Sequence, residues 1–127
     1  MAASPSPEKV RVLLTDPRQT PADHDRHGDL FLAEGRANIA MMFYERSGSK
    51  DRIEKVLHKA VSEGDTFLVE WVFKLKPELI TAETWSRTGE SAVRVKKYAF
   101  ARDAYQRAGD ETRVVEIKKL LDQALGT

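Results

Sequence analysis

The chain matches itself without gaps when it is shifted by 61 residues. Arg26-His27-Gly28-Asp29 then lies over Arg87-Thr88-Gly89-Glu90. The same shift gives further matches, which are Ala40 with Ala101, Tyr44 with Tyr105, Arg46 with Arg107, Gly48 with Gly109 and Ile53 with Val114. Self-similarity of this length is typical of repeat proteins, in which one supersecondary unit recurs and packs on its neighbour.

Apolar residues recur at helical spacing along the chain. The clearest stripe follows the pattern i, i+3, i+4, i+7, i+8 and consists of Ile53, Val56, Leu57, Ala60 and Val61. Ser6-Pro7 and Thr20-Pro21 predict helix starts, because a capping hydroxyl precedes a proline in each pair. No segment alternates apolar and polar residues long enough to predict a strand. We therefore predict an all-α chain with about six to eight helices.

Local signals also predict the organisation of the chain. Pro77 predicts a helix restart that runs to about Arg87, and a further helix is predicted from about Ser91 to Ala108. Residues 1–5 are small and proline-containing, which favours disorder. The prediction is a partly disordered N-terminal segment with a short helix, residues 1–19, followed by one helical-repeat domain, residues 20–127.

The repeated residues resemble the tetratricopeptide repeat family. The second copy meets that family's aromatic, glycine, alanine, aromatic, alanine signature at Trp85, Gly89, Ala101, Tyr105 and Ala108. The first copy keeps three of these types and departs at two positions, which are His24 and Ser47. The family's closing proline is replaced by Arg52 and Arg113, and the shift is shorter than two repeats of about 34 residues.

The middle of the chain is also similar to an ankyrin repeat, at Leu57-His58-Lys59-Ala60-Val61, Gly64-Asp65 and Val69. Both families stack helical hairpins, and the tetratricopeptide resemblance is the first choice. It implies a stack of antiparallel hairpins in an α-α superhelix, with about three hairpins and a C-terminal capping helix.

Repeat proteins of this kind bind partners on a concave face lined by the first helix of each hairpin. By the resemblance, six polar residues would lie at this groove, namely Asp25, Arg26, Asp29, Arg87, Glu90 and Arg94. The acids among them favour a basic partner. We therefore predict a non-enzymatic scaffold or adaptor that binds another protein or peptide. A homo-oligomeric assembly subunit, such as a homodimer, is the alternative.

The composition disfavours nucleic acid as a partner. The chain has 21 Lys and Arg against 20 Asp and Glu, interspersed along its length. Basic residues do interleave with aromatic ones at Lys96, Lys97, Tyr98, Phe100, Arg102 and Arg107. Tyr98, however, shares a helical stripe with Ala101 and Tyr105, which favours a place in the core.

One cluster, Asp23, His24, Asp25, His27 and Asp29, contains the residue types that bind metals. A solvated first helical turn explains the same residues, because the helix dipole favours acids there. We predict neither metal nor cofactor. We also predict no enzyme, since the chain has no cysteine, three histidines and no nucleophile elbow. No apolar stretch approaches the ~20 residues of a membrane span, so the predicted location is the cytoplasm.

Overall fold

The computed structural model describes residues 5–126, and within this range the chain is all-α, as predicted. The described part contains a 3₁₀ turn at Pro77–Leu79 and eight α-helices, which are α1 (Pro7–Thr15), α2 (Pro21–Ala33), α3 (Ala37–Ser47), α4 (Lys50–Glu63), α5 (Thr66–Leu75), α6 (Ala82–Arg94), α7 (Tyr98–Ala108) and α8 (Glu111–Ala124). None of them is long and apolar enough to cross a bilayer. Apart from Pro5, the predicted disorder of residues 1–5 falls outside the described residues.

The helices form two compact units, Met1–Val56 and Leu57–Thr127. In the first unit α2 packs against α3, and α1 also contacts α3. In the second unit α7 packs against both α6 and α8, while α5 contacts α6, α7 and the 3₁₀ turn. The connections within α2–α3 and α6–α7 are short and the two helices of each pair pack against each other, and we call each pair a hairpin.

The repeat found in the sequence is present in the backbone. When α2, α3 and α4 are shifted by 61 residues, their ends fall on the ends of α6, α7 and α8. The start signal recurs as well, because Thr20 and Thr81 each form a capping box with the residue three positions later. Gly48 and Gly109 end α3 and α7 with φ of 72° and 78°, in the left-handed region that glycine adopts readily. The repeating unit is therefore three helices long.

Each hairpin contains one glycine that faces a buried tyrosine ring. A Cβ added to Gly89 would lie 2.8 Å from two ring atoms of Tyr105. A Cβ added to Gly28 would overlap the ring of Tyr44 in the same way. Real Cβ atoms do not approach ring carbons so closely, so glycine is what lets the two helices of each hairpin come together.

The predicted helix from Pro77 to Arg87 is wrong. Pro77 starts a single 3₁₀ turn that ends at Leu79. The α-helix begins later, at Ala82, because the Thr81 hydroxyl accepts a hydrogen bond from the backbone N–H of Thr84. A complete N-cap here outweighs the fixed φ of the earlier proline.

The predicted helix from Ser91 to Ala108 is also wrong, because the break falls at residues 95–97. Lys96 adopts a φ of 61°, and the backbone N–H of Lys97 donates to the carbonyl of Ala92 at 2.8 Å. This six-residue closure is a Schellman ending, which normally places glycine at the left-handed position. The first copy has Gly35 there, with a φ of 75°.

The core is centred on apolar residues at helical spacing, although Val115 and Leu125 at the last helix are 54% and 78% exposed. Val56, Ala60 and Ala101 are fully buried, as their spacing predicts. Met42 on α3 and Phe67 on α5 are also apolar, and they are 39% and 67% exposed. Apolar residues next to them in sequence are buried instead, since the buried face of each helix is set by its neighbours.

Candidate functional site

Arg52 is the centre of a polar cluster that joins three helices of the first unit. Its Nε and Nη2 lie 2.9 and 3.0 Å from the two carboxylate oxygens of Asp29. Its Nη1 lies 3.1 Å from Oδ2 of Asp25, which is on α2 together with Asp29. The Tyr44 hydroxyl donates a hydrogen bond to Asp29 at 2.6 Å. Bidentate arginine–carboxylate pairs hold a defined geometry, so this cluster fixes α4 and α3 against α2.

The pKa values of three groups in the cluster, Asp29, Tyr44 and Arg52, are shifted away from neutral pH. Hydrogen bonds from Arg52 lower the pKa of Asp29, against the opposing effect of its partial burial. Burial, followed by the hydrogen bond to Asp29, raises the pKa of Tyr44. The hydrogen bond with Asp29 also raises the pKa of Arg52. A proton-transfer site needs a pKa near the working pH, so these groups are suited to structure rather than to acid–base chemistry.

The second copy carries the same residue types in a different arrangement. Glu90, Tyr105 and Arg113 occupy the positions equivalent to Asp29, Tyr44 and Arg52. The Arg113 guanidinium lies over the Tyr105 ring, 5.8 Å from its centroid. Its Nη1 bonds Glu116 at 3.1 Å. The three-helix ion-pair cluster is thus particular to the first unit.

The residues predicted to line a partner groove lie on α2 in the first unit and on α6 in the second. On α2, Asp25 and Asp29 are brought together through Arg52, whereas Arg26 pairs with Asp23 at 2.5 Å. Both acids therefore share one guanidinium within the chain, which weakens the argument for a basic partner at α2.

On α6, the predicted groove residues have mostly local partners. Arg87 bonds Glu83 at 2.8 Å, and Arg94 lies 3.2 Å from the hydroxyl of Ser91. Glu90 is exposed. Their use in partner binding stays a prediction.

His24 and His27 lie beside the ring of Phe43, with ring centroids 6.1 and 5.5 Å away. His24 is 8% exposed, and Nδ1 of each histidine is buried without a hydrogen-bond partner. Burial lowers the pKa of His27, which favours the neutral ring. Among residues 5–126, no group of three or more His, Cys, Asp or Glu side chains is placed to hold a metal ion. Both imidazole rings pack against Phe43.

A groove of about 230 Å³ lies in the second unit between the end of α4 and the start of α6. Its apolar wall is formed by Leu57, Val61 and Leu79. Arg87, one of the predicted site residues, lies on its polar rim with His58. Sequence reasoning missed this groove, since its two sides come from helices that are distant in the chain.

A larger groove, of about 410 Å³, lies between the start of α7 and the end of α8. We call it the α7–α8 groove; it is lined by Lys96, Lys97, Tyr98, Ala99, Phe100, Leu121 and Ala124. Phe100 is 41% exposed, and Leu125, which follows Ala124, is 78% exposed. The Lys97 ammonium lies 5.9 Å from the centroid of the Phe100 ring. The groove therefore combines an open apolar surface with two lysines.

Three positions near the start of α7 and the end of α8 differ between the copies in the size of the residue and in its burial. In the first copy they are small and buried, and they are Ala37, Ala60 and Gly64. In the second copy they are large and apolar; Tyr98 and Leu121 are half-buried and Leu125 is exposed. The exposed apolar surface at the end of α8 is thus specific to the second copy.

The packing of Gly64 shows what lies beyond the end of α4. A Cβ added to this glycine would lie 2.5 Å from backbone atoms of Ala92, so α6 lies directly against it. Leu125 holds the equivalent place after α8. Gly64 is thus buried against α6, whereas Leu125 is 78% exposed.

Comparisons with known proteins give no assignment for this arrangement. The residues that carry the tetratricopeptide resemblance have packing roles here, since Gly89 faces Tyr105 and Ala101 is fully buried. None of the protein-family models, curated proteins and solved structures compared with this chain matches it.

Proposed function

We propose that this chain is a non-enzymatic module that binds a helical segment of another protein, and that the α7–α8 groove is its binding site. The observation that carries the proposal is the contrast between Gly64 and Leu125. Gly64 is covered by α6, whereas Leu125 is 78% exposed at the equivalent position. A helix from a partner would cover the end of α8 as α6 covers the end of α4.

The chemistry of the groove supports a protein partner. Helix-in-groove recognition uses an apolar groove that receives the apolar face of an amphipathic helix. Tyr98, Phe100 and Leu121 supply such a surface, and aromatic residues are enriched at the centres of protein interfaces. The tetratricopeptide-like stack of three hairpins and a capping helix stays part of this proposal, as a prediction from the sequence.

Photo-crosslinking tests the proposal with a control position within α8. A benzophenone amino acid replaces Leu125 in one variant and Val115, which is 54% exposed, in the other. After irradiation in native extract, mass spectrometry maps the crosslinked peptides. We expect crosslinks from position 125 to a helical segment of a different protein, and fewer from position 115. Equal crosslinking from both positions would contradict the proposal.

The same experiment distinguishes the alternative function. A homo-oligomeric subunit would cover the α7–α8 groove with a second copy of the chain. Position 125 would then crosslink mainly to peptides of this chain, and the yield would rise with the concentration of purified protein.

A further inference from the structure

We infer that the partner helix is acidic as well as amphipathic, with carboxylates placed to meet Lys96 and Lys97. This inference rests on the proposed function and names the partner class for the same groove. Both charged residues that line the groove are lysines. Asp122 is next to Leu121 in sequence but is not part of the lining. Complementary charge at the rim of an interface speeds association and selects among partners.

Lys118 extends this positive charge along α8. It is exposed and lies three residues before Leu121, so the two side chains share one helix face. The equivalent residue of the first copy, Leu57, is buried and apolar. The second copy thus has a cation beside its open surface where the first copy has a core residue.

The conformation of Lys96 is a second argument that its side chain is used. Its φ of 61° lies in the left-handed region, which is unfavourable for a residue with a Cβ. The first copy meets the same requirement with Gly35, which carries no such strain. Strained residues cluster at functional sites, where the side chain is worth the local cost. Glycine would satisfy the backbone at position 96, and lysine adds only a long cationic side chain.

The geometry of Lys97 indicates how an acidic helix would bind. Its ammonium lies beside the partly exposed Phe100 ring. A partner side chain such as leucine would pack on Phe100 and Leu121, and a glutamate one turn away on the same helix would reach the lysines. The charged pairs would lie at the edge of the apolar contact, where exposed pairs contribute modestly and selectively.

A display selection tests the inference. The full chain is immobilised and screened against a library of amphipathic 18-residue peptides, whose leucine stripe is fixed and whose flanking positions encode glutamate or lysine at random. We expect the recovered peptides to be rich in glutamate. The double variant K96E/K97E should bind those peptides about tenfold more weakly, as two exposed pairs change from attraction to repulsion.

The double variant K50E/K55E is the control, since it makes the same change of charge at exposed lysines of α4. It should retain the binding of the parent chain. Recovery of peptides without charge preference, or equal losses in both double variants, would overturn the acidic partner and leave the proposed function intact. The A124E variant, which places a charge inside the groove, gives the background binding. If no recovered peptide binds the parent chain more strongly than A124E, both the acidic partner and the proposed function are overturned. Circular dichroism of each variant confirms that it is folded.

Discussion

Tyr44 and Tyr105 occupy equivalent positions of the repeat, and the contacts of their hydroxyl ends differ. The Tyr44 hydroxyl donates to a carboxylate that Arg52 also binds, whereas the Tyr105 ring lies under the guanidinium of Arg113. Both rings are buried and both face a glycine. Comparing Tyr44 with Tyr105 therefore separates the packing role of the ring from the polar role of the hydroxyl.

Tyr44→Phe removes the hydroxyl and keeps the ring. We expect the free energy of unfolding to fall by about 1–2 kcal/mol, because a partly buried hydrogen bond to a charged group is lost. Tyr105→Phe is the matched control and should change stability by about 0.5 kcal/mol or less. Urea denaturation followed by circular dichroism measures both. Equal losses would show that the bond to Asp29 does not stabilise the fold.

Lys96→Gly relieves the left-handed strain at the end of α6. We expect it to stabilise the chain by roughly 0.5–1 kcal/mol, because the strain removed exceeds the greater entropy of glycine in the unfolded chain. Gly35→Ala imposes the same strain on the first copy and should destabilise it. Thermal unfolding measures the direction of the stability change in both variants. If Lys96→Gly is more stable than the parent chain and binds acidic peptides more weakly, the strained backbone and the binding site are linked. If Lys96→Gly is less stable, residue 96 is not strained in the way proposed.

At the scale of elements, the Arg52 cluster connects helices rather than neighbouring residues. Its contribution to stability depends on pH in a defined direction. Arg52 holds the pKa of Asp29 below its usual value, so the ion pair favours the folded state above the ordinary aspartate pKa of about 4. This contribution is lost as the pH falls through the lowered pKa of the folded state.

Arg52→Met should therefore destabilise the chain most at neutral pH, and the difference from the parent should shrink below about pH 4. Urea titrations from neutral pH to about pH 3 measure the difference. Arg113→Met is the repeat-matched control and should cost less, because its ion-pair partner is the exposed Glu116. A difference that stays constant over the whole range would mean that Arg52 acts through packing alone.

Ala101 tests the packing of α7 within the second unit. It is fully buried in a cluster with Ala92, Tyr105 and Ile117. Ala101→Leu should destabilise the chain by about 1–3 kcal/mol through overpacking. Ala99→Leu, on the exposed face of the same helix, should be close to neutral. If the two variants unfold at the same urea concentration, the cluster is not close-packed.

The helices themselves could largely be predicted from the sequence, because caps and glycine stops act locally. The error at Pro77 came from weighing a proline above the cap at Thr81, although the shift of 61 residues from Thr20 already pointed to that position. The repeat also marks Arg52, which stands opposite Arg113. Its pairing with Asp29 could not be predicted, since it requires the angle between α2 and α4. The sequence analysis named Lys96, Lys97, Tyr98 and Phe100 together. Their meeting with Leu121 and Ala124 in the α7–α8 groove depends on how α8 packs on α7.

At the scale of the whole molecule, two sets of residues are candidates for partner binding. Glu90 on α6 belongs to the groove predicted from the family resemblance, and Lys96 and Lys97 belong to the α7–α8 groove. Glu90→Lys should leave the fold intact, since Glu90 is exposed. Under the resemblance it should slow association with a basic partner, and Glu116→Lys on the outer surface should not. Surface plasmon resonance with the crosslinked partner measures both rates. Normal binding by Glu90→Lys, with weak binding by K96E/K97E, would locate the site at α7 and α8.

The coincidence of helix ends in the two copies has a consequence for folding. Tandem units of the same topology can exchange elements, and such misassembly is a common failure of repeat proteins. Two equivalent buried positions make the exchange unfavourable here. The first copy combines His24 with Phe43, and the second combines Trp85 with Ala104. If α6 paired with α3, two large side chains, Trp85 and Phe43, would compete for one space. If α2 paired with α7, His24 would face the small Ala104 and leave a void. We therefore expect the differences between the copies to favour pairing of each helix with its own neighbour while the chain folds.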